Sequence, residues 1–154
     1  MNSLKELINL RPDHSHAHFL LAAQYAQIGM MDRAEESFRV ALKFSSPDFP
    51  MPRFQLGKLL LMKGESSETV QVLAPLTRQE DEIGAYARAL TAIAEEDRST
   101  AIAALREGLA MPQSVPPLHG DMQRLLAELE RAESEPAGVD SAASSMLLSN
   151  YGRH

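Results

Sequence analysis

Residues 18–42, HFLLAAQYAQIGMMDRAEESFRVAL, decide the fold. Apolar residues recur there at the three- and four-residue spacing of a helix face, first at Leu21, Tyr25 and Ile28 and then at Ala34, Phe38, Ala41 and Leu42. Gly29 separates the two runs, and glycine readily adopts the backbone conformation that ends a helix. The stretch therefore predicts two amphipathic helices joined by a tight turn.

The same pattern returns farther along the chain. Positions between Leu56 and Leu76 match positions between Leu21 and Ala41 at a single offset of 35 residues. The proline-rich loop 46–50 separates these two copies. A third and weaker copy is indicated by Tyr86, Leu90 and Ile93 on its first helix and by Ala101, Leu105 and Leu109 on its second.

The two ends of this region differ from the repeats. Apolar residues at 4, 7, 8 and 10, ahead of Pro12, predict that residues 1–12 form the second helix of a further pair. A helix stop at 113–117 is followed by Asp121, which we expect to cap a helix with Met122, Leu125 and Leu129 on one face. Residues 113–135 are thus predicted to be a capping helix.

The Gly-, Ala- and Ser-rich residues 136–154 are predicted to be a disordered tail whose apolar segment 146–151 could dock in a groove.

The pattern resembles the tetratricopeptide repeat family, whose unit is a helix–turn–helix of about 34 residues. The matching positions are Tyr25, Gly29, Ala34, Phe38 and Ala41 in the first copy, Leu56, Gly57 and Gly64 in the second, and Pro12. Departures are His18 and Arg53 at the usual tryptophan position, Thr69 for an alanine, and Gly108 in the last helix of the third copy. The resemblance covers about residues 3–112 and implies an all-α, right-handed helical-repeat solenoid: about three antiparallel helix pairs in 13–112 with a C-terminal capping helix.

The resemblance also implies a binding groove formed by the first helix of each pair. By alignment with the family, the groove residues are His16, Phe19, Ala23 and Gln27, then Met51, Phe54, Lys58 and Met62, then Ala85, Arg88, Ala92 and Glu95. Phe19 and Phe54 could instead belong to the core. Some family members clamp a carboxylate with several basic and amide side chains, but only Lys58 and Arg88 could contribute here. We therefore expect a hydrophobically anchored peptide, as in bacterial secretion chaperones of similar architecture.

Composition narrows the functional classes. The 154 residues include no cysteine, which excludes disulfides and thiolate metal sites. A net charge of −6 disfavours binding to nucleic acid. The amino terminus lacks the pattern of a signal peptide and no apolar run is long enough for a membrane helix, so we expect a soluble, cytoplasmic protein without membrane insertion.

Chemistry-bearing residues are sparse and do not converge. His14, His16 and His18 have a spacing that metal ligands can use, but we expect them to belong to the start of a helix, with Asp13 or Ser15 as its cap. The carboxylates at 35–36, 80–82 and 95–97 are adjacent in sequence and are expected at solvated faces and helix starts. We therefore predict no metal, no cofactor and no enzymatic activity.

Two functional hypotheses remain. The first is a scaffold or chaperone-like adaptor that holds a peptide segment of a partner protein in its groove. The second is a structural domain that pairs, through residues 3–10, with another copy as a homodimer or with other parts of a larger chain.

Overall fold

The computed structural model describes residues 2–134, and within that range the protein has eight α-helices and no β-strand. The helices are α1 (Asn2–Leu10), α2 (Ser15–Gln27), α3 (Met31–Phe44), α4 (Met51–Met62), α5 (Ser66–Leu73), α6 (Glu82–Ala94), α7 (Arg98–Leu109) and α8 (Pro116–Glu133). A 3₁₀ turn, Leu76–Arg78, follows α5. The predicted all-α class is confirmed. The predicted tail, 136–154, lies outside the described residues.

Neighbouring helices pack in pairs along the chain. The strongest packing joins α2 with α3, α4 with α5, and α6 with α7. Successive pairs meet where α3 packs against α4 and α5 against α6, and α4 also packs against α6. With α1 on α2 and α8 on α7, every helix contacts its neighbour in sequence. No helix in residues 2–134 is both long and apolar enough to cross a lipid bilayer.

The three pairs share one type of turn. The chain takes a positive φ at Gly29 (82°), Gly64 (79°) and Glu96 (60°). In each turn the next residue donates its N–H to a carbonyl five residues earlier: Met30 to Tyr25 (2.9 Å), Glu65 to Leu60 (2.9 Å) and Asp97 to Ala92 (2.8 Å). These hydrogen bonds make Gly29, Gly64 and Glu96 structurally equivalent.

The third turn corrects the alignment of the third pair. With Glu96 matched to Gly29, the residues equivalent to Phe19 and Ala23 are Tyr86 and Leu90. The sequence-based alignment had placed Arg88 and Ala92 there, two residues too late. It failed because a glutamate occupies the position that glycine marks in the other two turns.

The same register explains Gly108. This residue is equivalent to Ala41, where the two helices of the first pair lie close together. A Cβ added at Gly108 would lie 2.5 Å from Cε1 of Tyr86, so α6 and α7 approach more closely than a larger residue permits. Gly108 therefore meets the requirement for a small residue at this contact and is not a departure from the pattern.

Two helix starts differ from expectation. His14 caps α2, because its Nδ1 accepts a hydrogen bond from the N–H of Ala17 at 3.1 Å, whereas the sequence predicts Asp13 or Ser15 in this role. Helix α8 begins at Pro116, earlier than the predicted start after Asp121. A proline suits the first position of a helix, since the N–H that it lacks would have no partner there. Asp121 consequently lies inside α8.

We predict that Glu96→Gly stabilises the protein. A side chain at positive φ is strained, so glycine should raise the free energy of unfolding by about 1 kcal/mol, measured by chemical denaturation. Glu95→Gly is the matched control: Glu95 has a φ of −92° and should gain nothing from glycine. Equal effects of the two substitutions would contradict the prediction.

Candidate functional site

The turn geometry defines a set of equivalent positions on the first helices of the three pairs. These positions recur at three- and four-residue spacing and so share one side of each helix. We call this set the groove face; its members are His16, Phe19, Ala23 and Gln27 in α2, Met51, Phe54, Lys58 and Met62 in α4, and Ile83, Tyr86, Leu90 and Ala94 in α6.

Exposure falls along the groove face from the first pair to the third. In α2, His16 and Gln27 are exposed, while Phe19 and Ala23 are half-buried. In α4 and α6 most of the positions are covered, as their low fractional exposure shows: Phe54 0%, Lys58 2%, Met62 6%, Ile83 2%, Tyr86 0% and Leu90 0%. The expectation that Phe54 and Met62 line an open groove is therefore corrected, whereas Lys58, although almost fully buried, does line a small cleft. Met51 is half-buried against the core.

Helix α8 packs mainly on α7 and also reaches α4. Its apolar side chains belong to the same hydrophobic cluster as Phe54, Met62, Tyr86 and Leu90; they are Leu118, Met122, Leu125 and Leu129. The carboxylate of Asp121 lies 3.7 Å from Nζ of Lys58, which places the early turns of α8 against α4. Helix α8 thus does more than cap the last pair, because its Asp121 also reaches Lys58 on the groove face of an earlier one.

The part of the groove face that α8 leaves uncovered forms a small cleft. Its lining comes from α2, α3, α4 and α8: Phe19, Ala23, Gln27, Phe38, Gln55, Lys58 and Asp121. The cleft has a volume of ≈ 240 Å³. This is below the roughly 300–1,000 Å³ of typical small-molecule pockets and is better matched to a single side chain of a peptide.

Aromatic contacts hold the apolar base of the cleft in place. The Phe19 ring lies 5.8 Å from that of Phe38 and meets Phe49 edge-on at 5.4 Å. Phe49, from the loop before α4, also stacks on His16 at 3.9 Å with the two rings nearly parallel. Phe19 is therefore fixed between two other aromatic rings, in arrangements that aromatic pairs prefer. Sequence reasoning found Phe19 and His16 but missed Phe38, Phe49, Gln55 and Asp121, which come from other elements.

Arg88 lies away from the groove face. It occupies the position equivalent to Leu21, and its guanidinium donates hydrogen bonds to the carbonyls of Thr77 (2.9 Å) and Gln79 (3.0 Å). It also pairs with Glu107 at 3.3 Å. Arg88 thus braces the segment that leads into α6. Of the other residues expected in the groove, Ala85 and Ala92 are buried and Glu95 is exposed just beyond the end of α6.

The histidines near the start of α2 have structural partners. His14 caps the helix, His16 stacks on Phe49, and Nε2–H of His18 donates to the carbonyl of Pro12 at 2.7 Å. Within residues 2–134, no group of three or more His, Asp or Glu side chains is arranged to hold a metal ion.

A buried carboxylate holds the segment that leads into α8. Glu82, only 1% exposed, accepts hydrogen bonds from both the backbone N–H and the hydroxyl of Ser114. The Tyr86 hydroxyl donates to Oε1 of Gln113 at 2.8 Å, and Gln113 in turn donates to the carbonyl of Gly108 at 2.9 Å. Sequence reasoning expected the acidic run 80–82 at a solvated face or a helix start. Asp81 does cap α6, but Glu82 points inward.

These hydrogen bonds shift the titration of Glu82. Burial by itself acts to raise the pKa of the carboxyl, but the hydrogen bonds from Ser114 and from nearby backbone N–H groups outweigh it. The pKa of Glu82 therefore lies below its ordinary value of 4.5.

Comparison with known proteins gives no family: no protein-family model, curated protein or solved structure matches this chain.

We predict that Glu82→Gln destabilises the fold. Glutamine keeps an acceptor but loses the charge, so the free energy of unfolding at pH 7 should fall by about 1–2 kcal/mol in chemical denaturation. Because the folded-state pKa is lowered, this stabilisation is complete above pH 4.5 and is lost as the pH falls through the folded pKa.

The difference between wild type and Glu82→Gln should therefore shrink below pH 4.5. Glu80→Gln, at an exposed neighbour, should change little at any pH. A difference that persisted unchanged to pH 3 would count against an ionised, hydrogen-bonded Glu82.

Proposed function

We propose that this chain is a tetratricopeptide-type interaction module, a right-handed solenoid of three helix pairs that holds a peptide segment of a partner protein. The observation that carries the proposal is the open cleft on the first-helix face, whose lining combines two aromatic rings in mutual contact with several polar side chains. An apolar anchor surrounded by hydrogen-bonding groups is the usual chemistry of peptide recognition.

The shared turn supports the repeat assignment. The three pairs use the same hydrogen bond and positive-φ position, and small residues recur at equivalent places: Ala22, Gly57 and Ala89 on the first helices. A Cβ added at Gly57 would collide with the side chain of Leu73, so α4 and α5 also need a small residue there. Alternation of small and large residues at the helix contacts is what the family resemblance implies.

The charges near the cleft favour an apolar anchor over a clamped carboxylate. Lys58 lies beside Asp121, which offsets its charge, and Arg88 is engaged with the segment before α6. A carboxylate clamp needs several cations that converge on one point. We therefore propose a partner segment that inserts one apolar side chain against Phe19 and forms hydrogen bonds at the edge of the cleft.

We propose neither a catalytic role nor a cofactor for this surface. Several of the carboxylates that sequence reasoning considered already have structural tasks. Asp81 and Asp97 cap helices, Glu82 holds the segment before α8, and Glu35 forms salt bridges with Lys63 (2.7 Å) and Arg39 (2.9 Å).

The proposal predicts that filling the cleft abolishes peptide binding. Peptides would be selected from a random displayed library against the wild-type chain, and their affinities measured by fluorescence polarisation. Ala23→Arg places a long side chain in the cleft and should weaken binding about tenfold or more. Ala103→Arg, at an exposed site on α7, is the matched control and should bind like wild type.

Selected peptides that bind both variants equally would place the interaction elsewhere. A library that yields no binder to the wild-type chain would argue against peptide recognition. Thermal melts of both variants would show that any loss of binding does not come from unfolding.

Self-association is a second candidate function, favoured by exposed apolar side chains in α1 and α2. Leu10 is 81% exposed and Leu20 50% exposed, and none of the residues of α1 is fully buried. Exposed apolar side chains of this size are typical of contact surfaces when they lie together. The surface would pair with the same surface of another copy.

This candidate predicts a change in assembly state when the apolar residues are made charged. Leu10→Glu combined with Leu20→Glu should convert a dimer to a monomer in sedimentation velocity, since burying two carboxylates opposes association. Lys5→Glu, on an exposed part of α1, serves as the control. A wild-type chain that sediments as a monomer at all concentrations would exclude the candidate.

A further inference from the structure

We propose that α8 is an exchangeable occupant of the groove face, and that the partner segment is an amphipathic helix with the residue pattern of α8. Such a helix carries apolar residues at the spacing of Leu118, Met122, Leu125 and Leu129 and an acidic residue at the place of Asp121. This inference rests on the proposed peptide-binding function and names the kind of peptide.

The residue pattern of α8 is that of a helix bound in a groove. The four large apolar residues are spaced by four, three and four positions, and all are buried: Leu118 2%, Met122 0%, Leu125 0% and Leu129 1%. Other positions of the helix, among them Gln123, Arg124 and Glu130, are exposed. Anchors at this spacing are how a helix binds a groove from outside, so another helix could make the same contacts.

Directional contacts between α8 and the rest of the described chain are few. The ion pairs that it makes with other helices are Asp121 with Lys58, at 3.7 Å, and Glu130 with Arg106 near an exposed end. Two more, Arg124 with Asp121 and Arg131 with Glu128, lie within α8 and would persist if it left. The attachment of α8 is therefore mainly apolar, and apolar packing has little directional requirement.

The segment before α8 is held much more firmly. Ser114 is bonded to buried Glu82, and Gln113 is bonded to Tyr86 and to the carbonyls of Gly108 and Met111. These hydrogen bonds would remain if α8 moved, since none of them involves α8. The arrangement is a fixed anchor followed by a helix that can leave the groove face and return.

Lys58 supplies the charge preference. It is buried on the groove face, and a cation at that depth favours a neighbouring carboxylate, which Asp121 provides. The open cleft contains both residues and also Phe19. An incoming helix could contact Phe19 first and then replace Asp121 with its own acidic residue.

The test uses a fluorescent synthetic peptide of residues 114–134 as the probe and the full chain as the receptor. Asp121→Lys in the chain places a cation against Lys58 and weakens the docking of its own α8, while the peptide retains Asp121. Because apparent affinity scales with the fraction of open groove, we expect the peptide to bind this variant about tenfold more tightly than wild type.

Gln123→Lys is the matched control, since it adds the same charge to α8 at an exposed position and should bind like wild type. Asp121→Asn is a milder second variant in case Asp121→Lys does not fold, and it should increase the affinity for the peptide by a smaller factor. A peptide with Met122→Ser and Leu125→Ser should not bind any chain, because it lacks two central anchors.

Equal binding to the Asp121 variants and the control, or no binding to either, would overturn the inference. Dimers of the wild-type chain that the peptide cannot dissociate would also overturn it, by showing that a second copy is the occupant. If library-selected peptides bind wild type but not Ala23→Arg, while the α8 peptide binds no chain, the proposed function survives and only the helix exchange is excluded. If both fail, peptide binding itself is excluded.

Discussion

The close approach of two helices across a left-handed turn is the constraint on which the structure depends. At Gly29, Gly64 and Glu96 the positive φ reverses the chain in very few residues, and one N–H reaches back to a carbonyl of the helix that has just ended. Helices that are joined so tightly must pack side by side, which forces small residues such as Gly57 and Gly108 into the contact. Once the pairs form, each presents an apolar surface to the next.

The groove face is not equally apolar in the three pairs, although all three share the same turn. The third pair has Tyr86 and Leu90 where the first has Phe19 and Ala23, so its groove side is strongly apolar. Apolar surface of this kind favours burial, and α8 supplies the cover from the same chain. The groove-face residues of α2 are smaller and more polar, so leaving them exposed to water costs less free energy. A cleft lined by aromatic rings stays open there. The location of the candidate site thus follows from the uneven composition of the repeats.

The path of α8 depends on polar contacts that precede it. Glu82 lies at the first turn of α6 and has donors on two sides, from its own helix and from Ser114. A buried carboxylate without such donors would be strongly destabilising. Because the donors come from the segment before α8, the segment is held at α6 and α8 is directed back towards α4.

Local sequence was enough to determine the all-helical class and the helix pairs with a glycine turn, because helical periodicity and glycine act over a few residues. It also named Phe19 and Ala23 as candidate groove residues. It gave the wrong register in the third pair, where Glu96 adopts the turn conformation without the glycine that would have marked it. Only the tertiary structure decided that Lys58 is buried and that α8 reaches the groove face, where Asp121 lies beside Lys58. Those outcomes depend on contacts between residues more than 60 positions apart in the chain, and no local pattern encodes which distant apolar surface a helix will cover.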